Sequence, residues 1–284
     1  MKKIAIAFDF KNNAEELLET SIKFCKHFNA DLEIIHIDKE QKIDIPVFFS
    51  MTNPFNSEEE ILQDRVNRDI IDQSKKRLDD LLDTFDFQGV KTHYTVNIGE
   101  LDNLLTSSVD TIKPDLLIIS TTDELDSDHF EPTTLLRVLD KISVPVLAIP
   151  SKTENFDLNK FVFAYDNDYE LQNNLNTTRE IAESLNADVL NLKIFVDEIE
   201  FRAYQEADGW MESTHDYSFV CPDIYSGLVG FFNGCNGSVL VLNHEKRNFI
   251  SNFFHDSMTK KFLNDANVPL LIFDGDIKDW NLLS

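Results

Sequence analysis

Short runs of apolar residues alternate along the chain with longer stretches in which apolar positions recur every three or four residues. The continuous runs Ile4–Phe8, Leu32–Ile37, Leu116–Ile119 and Val144–Ile149 are typical of strands buried on both faces of a sheet. Between the first two, Ala14–Phe28 carries apolar side chains at helical spacing, which predicts an amphipathic helix. Strands that alternate with helices predict an α/β fold on a parallel sheet with right-handed crossovers.

A longer helix is predicted to begin at Ser57. The residues Ser57-Glu58-Glu59-Glu60 have a capping-box arrangement with extra acids, which favours a helix N-terminus. Apolar positions then recur at helical spacing as far as Phe85. This segment is therefore expected to contain a helix of several turns.

The chain also repeats itself. The run Ile4–Asp9 reappears as Phe161–Asp166, 157 residues later, and Asn29-Ala30-Asp31 reappears as Asn186-Ala187-Asp188 at the same offset. Further matches follow in the same order up to a Val-Pro pair near the end of each copy. Several matches in one order indicate an internal duplication.

The two copies differ in length at one place. The Val-Pro pair recurs after only 124 residues, so the first copy carries about 33 extra residues between its second and third strands. We therefore predict one domain over residues 1–150, with a long insertion at about 40–90, and a second domain over residues 159–284. The polar segment 151–158 is the predicted linker.

With these features the sequence resembles the universal stress protein family in its tandem two-domain form. Each copy has a first strand that runs into an aspartate (Asp9, Asp166), an Asn-Ala-Asp motif that leads into the second strand, and a fifth strand that starts with a Val-Pro pair. The clearest match is Asp256–Leu263 followed by Val268-Pro269. The resemblance implies two tandem Rossmann-like (adenine nucleotide alpha hydrolase-like) domains, each a five-stranded parallel sheet of order 3-2-1-4-5 flanked by helices.

The resemblance also implies that the two domains pack through their fifth strands. In that strand order Val144–Ile149 and Val268–Phe273 are edge strands, and an exposed apolar edge is an aggregation hazard. Pairing the two edges across a pseudo-two-fold axis removes both at once. We therefore predict an internal pseudo-dimer, and a homodimer of the whole chain stays open as a further level of assembly.

The loop after the fourth strand decides whether the resemblance extends to nucleotides. In the nucleotide-binding branch of the family this loop has the form G-x2-G-x9-G-[ST], in which glycines let backbone amides approach phosphate. The second copy keeps the spacing and Ser257, but Asn243, Lys246 and Asp256 replace the three glycines. The first copy, from Ser120, lacks all three and is one residue short. We expect weak ATP binding or none, because Asp256 would place a carboxylate beside a phosphate.

The candidate contacts, should ATP or AMP bind, are polar residues that follow strands one and four. They are Asp9 in the first copy and Asp166, Asn243, His244, Lys246 and Ser257 in the second. The two aspartates lie at the topological switch point, where they could recognise an adenine or ribose edge. The alternative interpretation is that each caps the helix that follows it.

A run of four glycines, Gly227-x2-Gly230-x3-Gly234-x2-Gly237, superficially resembles a phosphate loop. It precedes the predicted strand Ser238–Leu242 and so lies at the amino end of the sheet, opposite the expected crevice. Helix termination and close helix-to-strand packing explain these glycines better.

Composition narrows the range of partners. The chain has 26 basic and 51 acidic side chains and a net charge of −25, which disfavours nucleic acid and anionic membranes as partners. No apolar run approaches the ~20 residues needed to span a bilayer, and no signal-peptide core is present, so a cytoplasmic location is expected. Three scattered cysteines favour reduced structural thiols, and no spacing typical of a metal site predicts one.

The function hypothesis is a non-enzymatic stress-response or regulatory protein that acts by binding protein partners and needs no cofactor. No catalytic motif is present, so no catalytic residues are predicted. The alternative is an adenine-nucleotide sensor that binds ATP or AMP through the remnant loop of the second copy.

Overall fold

The structure is a computed structural model that describes residues 1–10, 14–41, 57–121, 132–150, 158–165, 172–206, 216–234, 238–244 and 268–274. The predicted linker 151–158 lies outside these residues except for Leu158. Most of the second-copy loop that follows the fourth strand also lies outside the described residues.

The first repeat alternates strands and helices as its apolar pattern predicts. Its elements are β1 (Lys3–Ala7), α1 (Ala14–Phe28), β2 (Asp31–Asp38), α2 (Ser57–Thr84), β3 (Thr92–Ile98), α3 (Leu101–Ile112), β4 (Leu116–Thr121), α4 (Pro132–Leu139) and β5 (Val146–Pro150).

The second repeat has the same alternation. Its elements are β6 (Lys160–Ala164), α5 (Gln172–Ser184), β7 (Asp188–Phe195), α6 (Glu198–Glu206), β8 (Asp216–Val220), α7 (Ile224–Asn233), β9 (Ser238–His244) and β10 (Leu270–Asp274).

The described strands form one ten-stranded sheet of order β3-β2-β1-β4-β5-β10-β9-β6-β7-β8. Within each repeat the neighbours are parallel and follow the order 3-2-1-4-5, as predicted. The repeats meet through β5 and β10, which pair antiparallel with Leu147 opposite Leu271. The predicted packing through the fifth strands is confirmed.

The strand register is the same in both repeats. In the first, Ile4 lies beside Leu32 on one side and Leu116 on the other. In the second, Phe161 lies beside Val189 and Val239. These partners stand at the same offsets, 157 and 123 residues, as the sequence matches between the copies, so the duplication extends to the pairing of individual residues.

Each face of the sheet carries one apolar core that runs through both repeats. Alternate strand residues point to opposite faces, so Ala5 and Ile272 belong to one core, while Ile4 and Leu271 belong to the other. Both cores cross the β5–β10 junction. Most of these side chains are less than 3 % exposed, as expected for strands that are apolar on both faces.

The Asn-Ala-Asp motif forms the same turn in each repeat. Asn29 and Asn186 have φ angles of 51° and 52°, in the left-handed region that ends many helices and that asparagine tolerates. In the first repeat the amide of Ala30 then bonds to the carbonyl of Cys25 at 2.8 Å. The motif therefore ends the first helix and directs the chain into the second strand.

The fifth strands begin two residues later than the apolar pattern predicts. Pro145 and Pro269 have no N–H to donate to a ladder, so β5 begins at Val146 and β10 at Leu270. Both prolines still accept through their carbonyls, from the amides of Leu117 and Leu240 at 3.0 and 2.9 Å.

The long helix α2 packs on the sheet through its C-terminal half. Ser74 and Leu78 are buried, whereas Ile61 and Leu62 are 57 % and 44 % exposed. Among the described residues, no helix is long and apolar enough to span a bilayer.

The interpretation of the glycine run is confirmed for Gly227 and Gly234, whereas a Cβ at Gly230 would meet nothing within 4 Å. A Cβ at Gly227 would lie 3.0 Å from Ile194 and 3.3 Å from Cys221, so α7 approaches β7 too closely for a side chain. Helix α7 ends at Asn233, and the amide of Gly234 bonds back to Phe231 at 3.1 Å.

Cys25 and Cys221 are free thiols, and burial raises the pKa of Cys25 to about 12. A buried thiol of that kind is unreactive, which agrees with a structural role for Cys25.

The β5–β10 junction predicts how an isolated first repeat behaves. Residues 1–150 alone would expose the edge of β5 that pairs with β10 in the full chain, so we expect this fragment to dimerise or aggregate. Size-exclusion chromatography with light scattering measures this directly, with the full chain as control. A stable monomer of the fragment would contradict the role given to the junction.

Candidate functional site

A cleft of ≈ 490 Å³ opens at the carboxyl ends of β1 and β2 in the first repeat. In an open α/β sheet this is the end where ligand crevices form. Apolar side chains from both strands and from α2 line it together with charged groups. The lining residues are Ala7, Phe8, Asp9, Phe10, Ile35, His36, Ile37, Asp38, Lys39, Glu40, Gln41, Ile70, Arg77 and Leu101.

The chain leaves β1 as a short extended segment that forms one wall of the cleft. The amide of Phe8 bonds to the carbonyl of Ile35 at 2.9 Å, which extends the β1–β2 pairing beyond Ala7. The Phe8 side chain is buried in the core, and the Phe10 ring lies edge-on to it, with ring centroids 5.3 Å apart. Asp9, between them, is half-buried at the cleft.

His36 joins the ends of the two strands. Its ring is buried, with Nδ1 2.8 Å from the carbonyl oxygen of Phe8 and Nε2 3.1 Å from Oδ1 of Asp38. His36 therefore links the backbone that follows β1 to the carboxylate at the end of β2, in the lining of the cleft.

The carboxyl of Asp38 is held in its ionised form. Burial by itself would raise its pKa, but the hydrogen bond to His36, the hydroxyl of Ser74 and the charges of His36 and Arg77 together lower the pKa below its ordinary value of 3.8. Its Oδ2 atom is buried and has no hydrogen-bond partner among the described residues.

Arg77 extends from α2 across the cleft. Its guanidinium carbon lies 3.8 Å from the centroid of the Phe10 ring, within the range of a cation–π contact. Phe10 in turn meets the ring of His36 at 4.8 Å. Phe10 thus contacts the Arg77 guanidinium through its face and meets the His36 ring edge-on, which links two of the charged residues that line the cleft.

The segment that follows β2 is tied to the same helix. The side chain of Asn67 donates to Oε1 of Glu40 at 3.2 Å, and the side chain of Gln63 donates to the carbonyl of Gln41 at 2.8 Å. These bonds hold the Glu40 carboxylate at the rim, across the cleft lining from β1.

Of the six candidate residues named from the sequence, the structure places Asp9 in the cleft. Asn243 and His244 are the last residues of β9 and pair with Phe273 and Asp274 of β10. Asp166, Lys246 and Ser257 lie outside the described residues, so the role of the second-copy loop stays a prediction. No group of three or more His, Cys, Asp or Glu side chains within the described part of the chain is arranged to hold a metal ion.

The sequence reasoning missed His36, Asp38, Phe10 and Arg77. Asp38 ends the second strand as Asp9 follows the first, so the same strand-end signal was available for it. His36 stands inside an apolar run, where a lone polar residue is itself unusual.

The second repeat carries different side chains at the positions equivalent to His36 and Asp38. By the 157-residue offset, Lys193 replaces His36 and Phe195 replaces Asp38. The Lys193 ammonium lies 4.6 to 5.5 Å from the ring centroids of Tyr165, Phe195 and Tyr204. Aromatic faces stabilise the cation there in place of a carboxylate.

The sequence comparisons identify the family. The model of the universal stress protein family matches residues 1–150, more than half of the chain. The chain therefore belongs to the universal stress protein family. No curated protein matches the chain.

Solved structures of the family share the two-repeat fold. A universal stress protein from Archaeoglobus fulgidus DSM 4304 is 12 % identical, with a TM-score of 0.61 over 96 % of each chain. A Pseudomonas aeruginosa UCBPP-PA14 protein assigned to the same family is 10 % identical, with a TM-score of 0.61 over 96 % of this chain and 93 % of the other. At such identities the likeness concerns the fold alone.

The His36–Asp38 pair predicts a specific pH dependence of stability. The folded-state pKa of Asp38 is lowered from 3.8. The ionised carboxylate therefore stabilises the fold above about pH 3.8, and this stabilisation is lost as the pH falls through the lower folded-state pKa. We expect Asp38→Asn to reduce the free energy of unfolding near neutral pH by about 1–3 kcal/mol. The difference from the natural protein should shrink below about pH 4.

Urea unfolding from about pH 6 to about pH 3 measures this difference. Asp64→Asn is the matched control, because Asp64 is 69 % exposed and its carboxylate lies 4.0 Å from the guanidinium of Arg68. This substitution should change the free energy of unfolding little at any pH. A difference for Asp38→Asn that does not vary with pH would show that the carboxylate charge is not the stabilising feature.

Proposed function

We propose that this member of the family is a non-enzymatic stress-response or regulatory protein of the cytoplasm that acts by binding protein partners and does not bind ATP tightly. The main support is that the fourth strand of each repeat, β4 or β9, continues through the position where the family's phosphate loop has its first glycine. At Ser120 and Asn243, the position of the first glycine in the family's phosphate loop, the chain is still in the sheet.

The pairing at these positions supports the proposal. Ser120 and Thr121 pair with Ile149 and Pro150 of β5, and Asn243 pairs with Phe273 of β10. A strand that continues through the glycine position, with a Cβ on each residue, hinders the close backbone approach that phosphate needs.

Charge acts in the same direction. In the family pattern Asp256 stands at the third glycine position. A carboxylate ~4 Å from a phosphate charge costs on the order of 4 kcal/mol at an effective dielectric near 20, roughly a thousandfold in affinity. The net charge of −25 adds a general repulsion of polyanions.

The bonding of His36 supports a role without catalysis. A general base needs a ring nitrogen that can take a proton from a substrate, and both nitrogens of His36 already face acceptors of the protein. The contact of Arg77 with Phe10 and the pairing of His36 with Asp38 hold these side chains in place. The cleft groups are therefore better suited to binding a ligand than to transferring a proton.

The alternative is an adenine-nucleotide sensor, and the position of Asp9 favours it. Asp9 lies in the cleft at the carboxyl end of β1, where the family resemblance expects contact with adenine or ribose. Calorimetric titration with ATP and magnesium separates the two functions.

We expect isothermal titration of the full chain with ATP and magnesium to give no micromolar binding. The triple variant Asn243→Gly, Lys246→Gly, Asp256→Gly should gain measurable binding, because it restores the three glycines and removes the carboxylate. The single change Asp256→Asn is the control for charge alone. Tight ATP binding by the natural protein would contradict the proposal and favour the sensor.

A further inference from the structure

The charged groups of the first-repeat cleft divide into two opposite sets. Arg77 and Lys39 are cationic, and Asp9 and Glu40 are anionic. Asp38 forms a hydrogen-bonded pair with His36. Apart from that pair, the lining carries two cations and two anions in a chain whose net charge is −25.

One cation and one anion are fixed by observed contacts. Arg77 is held by its stack on Phe10, and among the described residues none accepts a hydrogen bond from its guanidinium. The guanidinium is a planar fork of N–H donors, which matches the two oxygens of a carboxylate. Glu40 is held by Asn67 through one oxygen.

The remaining wall is apolar. Ile37, Ile70 and Leu101 come from β2, α2 and α3, and all three are half-buried at the cleft. A ligand that places an aliphatic or aromatic group there removes their exposed surface from water, at about 25 cal/mol per Å² of apolar area. The volume of ≈ 490 Å³ lies within the usual range for small-molecule sites.

We propose that this cleft binds a free apolar α-amino acid as its zwitterion. The ligand carboxylate binds the guanidinium of Arg77, the ammonium binds the carboxylate of Glu40, and the side chain packs on Ile37, Ile70 and Leu101. A dianionic phosphate is disfavoured by the two carboxylates, and a simple cation by Arg77 and Lys39. This site goes beyond the proposed function and does not involve the second-copy loop.

The test is calorimetric titration of the full chain with L-leucine, L-isoleucine and L-phenylalanine, and with two blocked forms of leucine. N-acetyl-leucine lacks the ammonium and leucine amide lacks the carboxylate. We expect saturable one-site binding of at least one free amino acid and a loss of at least tenfold in affinity for both blocked forms. An equal affinity for a blocked form would overturn the zwitterion assignment.

Variants locate the site. Arg77→Gln and Glu40→Gln should each weaken binding at least tenfold, and Arg77→Lys should not restore it, because lysine lacks the planar fork. Arg68→Gln is the matched control, an exposed arginine on the same helix that pairs with Asp64; its affinity should equal that of the natural protein. Thermal unfolding of each variant checks that it is folded.

The outcomes are distinguishable from those of the ATP titration. No binding of any of the three amino acids at millimolar concentration would overturn the inference and leave the proposed function intact. Binding that Arg77→Gln and Glu40→Gln leave unchanged would place the ligand elsewhere and overturn it as well. Tight ATP binding that is lost in Arg77→Gln would assign the cleft to a nucleotide, against both proposals.

Discussion

The antiparallel pairing of β5 with β10 is the contact on which the rest of the architecture depends. Each strand is the last of its repeat, and without the other each repeat would leave an apolar edge open. The pairing turns two five-stranded sheets into one and lets a core on each face run across the junction. Leu147 and Leu271 meet on one face, and Val146 and Ile272 on the other. The cleft at the carboxyl ends of β1 and β2 thus lies on a sheet that continues through both repeats.

On that sheet the two repeats share their strand register and differ in side chains near the end of the second strand. Asn29 and Asn186 share the left-handed conformation that ends the first helix, because the turn requires it. At the cleft no such backbone requirement applies. There the His36–Asp38 pair of the first repeat is replaced by Lys193 against aromatic rings in the second, so the equivalent positions differ in chemistry.

The fold was largely predictable from the sequence, because apolar periodicity and the duplication act locally and over the whole chain. The predicted helix Ala14–Phe28 coincides with α1, whereas β5 began later because Pro145 cannot donate to the ladder. The site was less predictable. Asp9 was found from its place after β1, but the stack of Arg77 on Phe10 depends on how α2 crosses the sheet. That packing depends on tertiary structure and cannot be predicted from a local sequence pattern.

Hydrogen–deuterium exchange of the full chain, followed by mass spectrometry, tests most directly whether the β5–β10 pairing unites the repeats. If it does, peptides covering Val146–Pro150 and Leu270–Asp274 exchange only through global unfolding. Their protection then matches that of the central strands β1 and β6, and denaturant reduces all four together. Exchange of the β5 and β10 peptides at low denaturant, while β1 and β6 stay protected, would show that the junction opens by itself and would contradict the account.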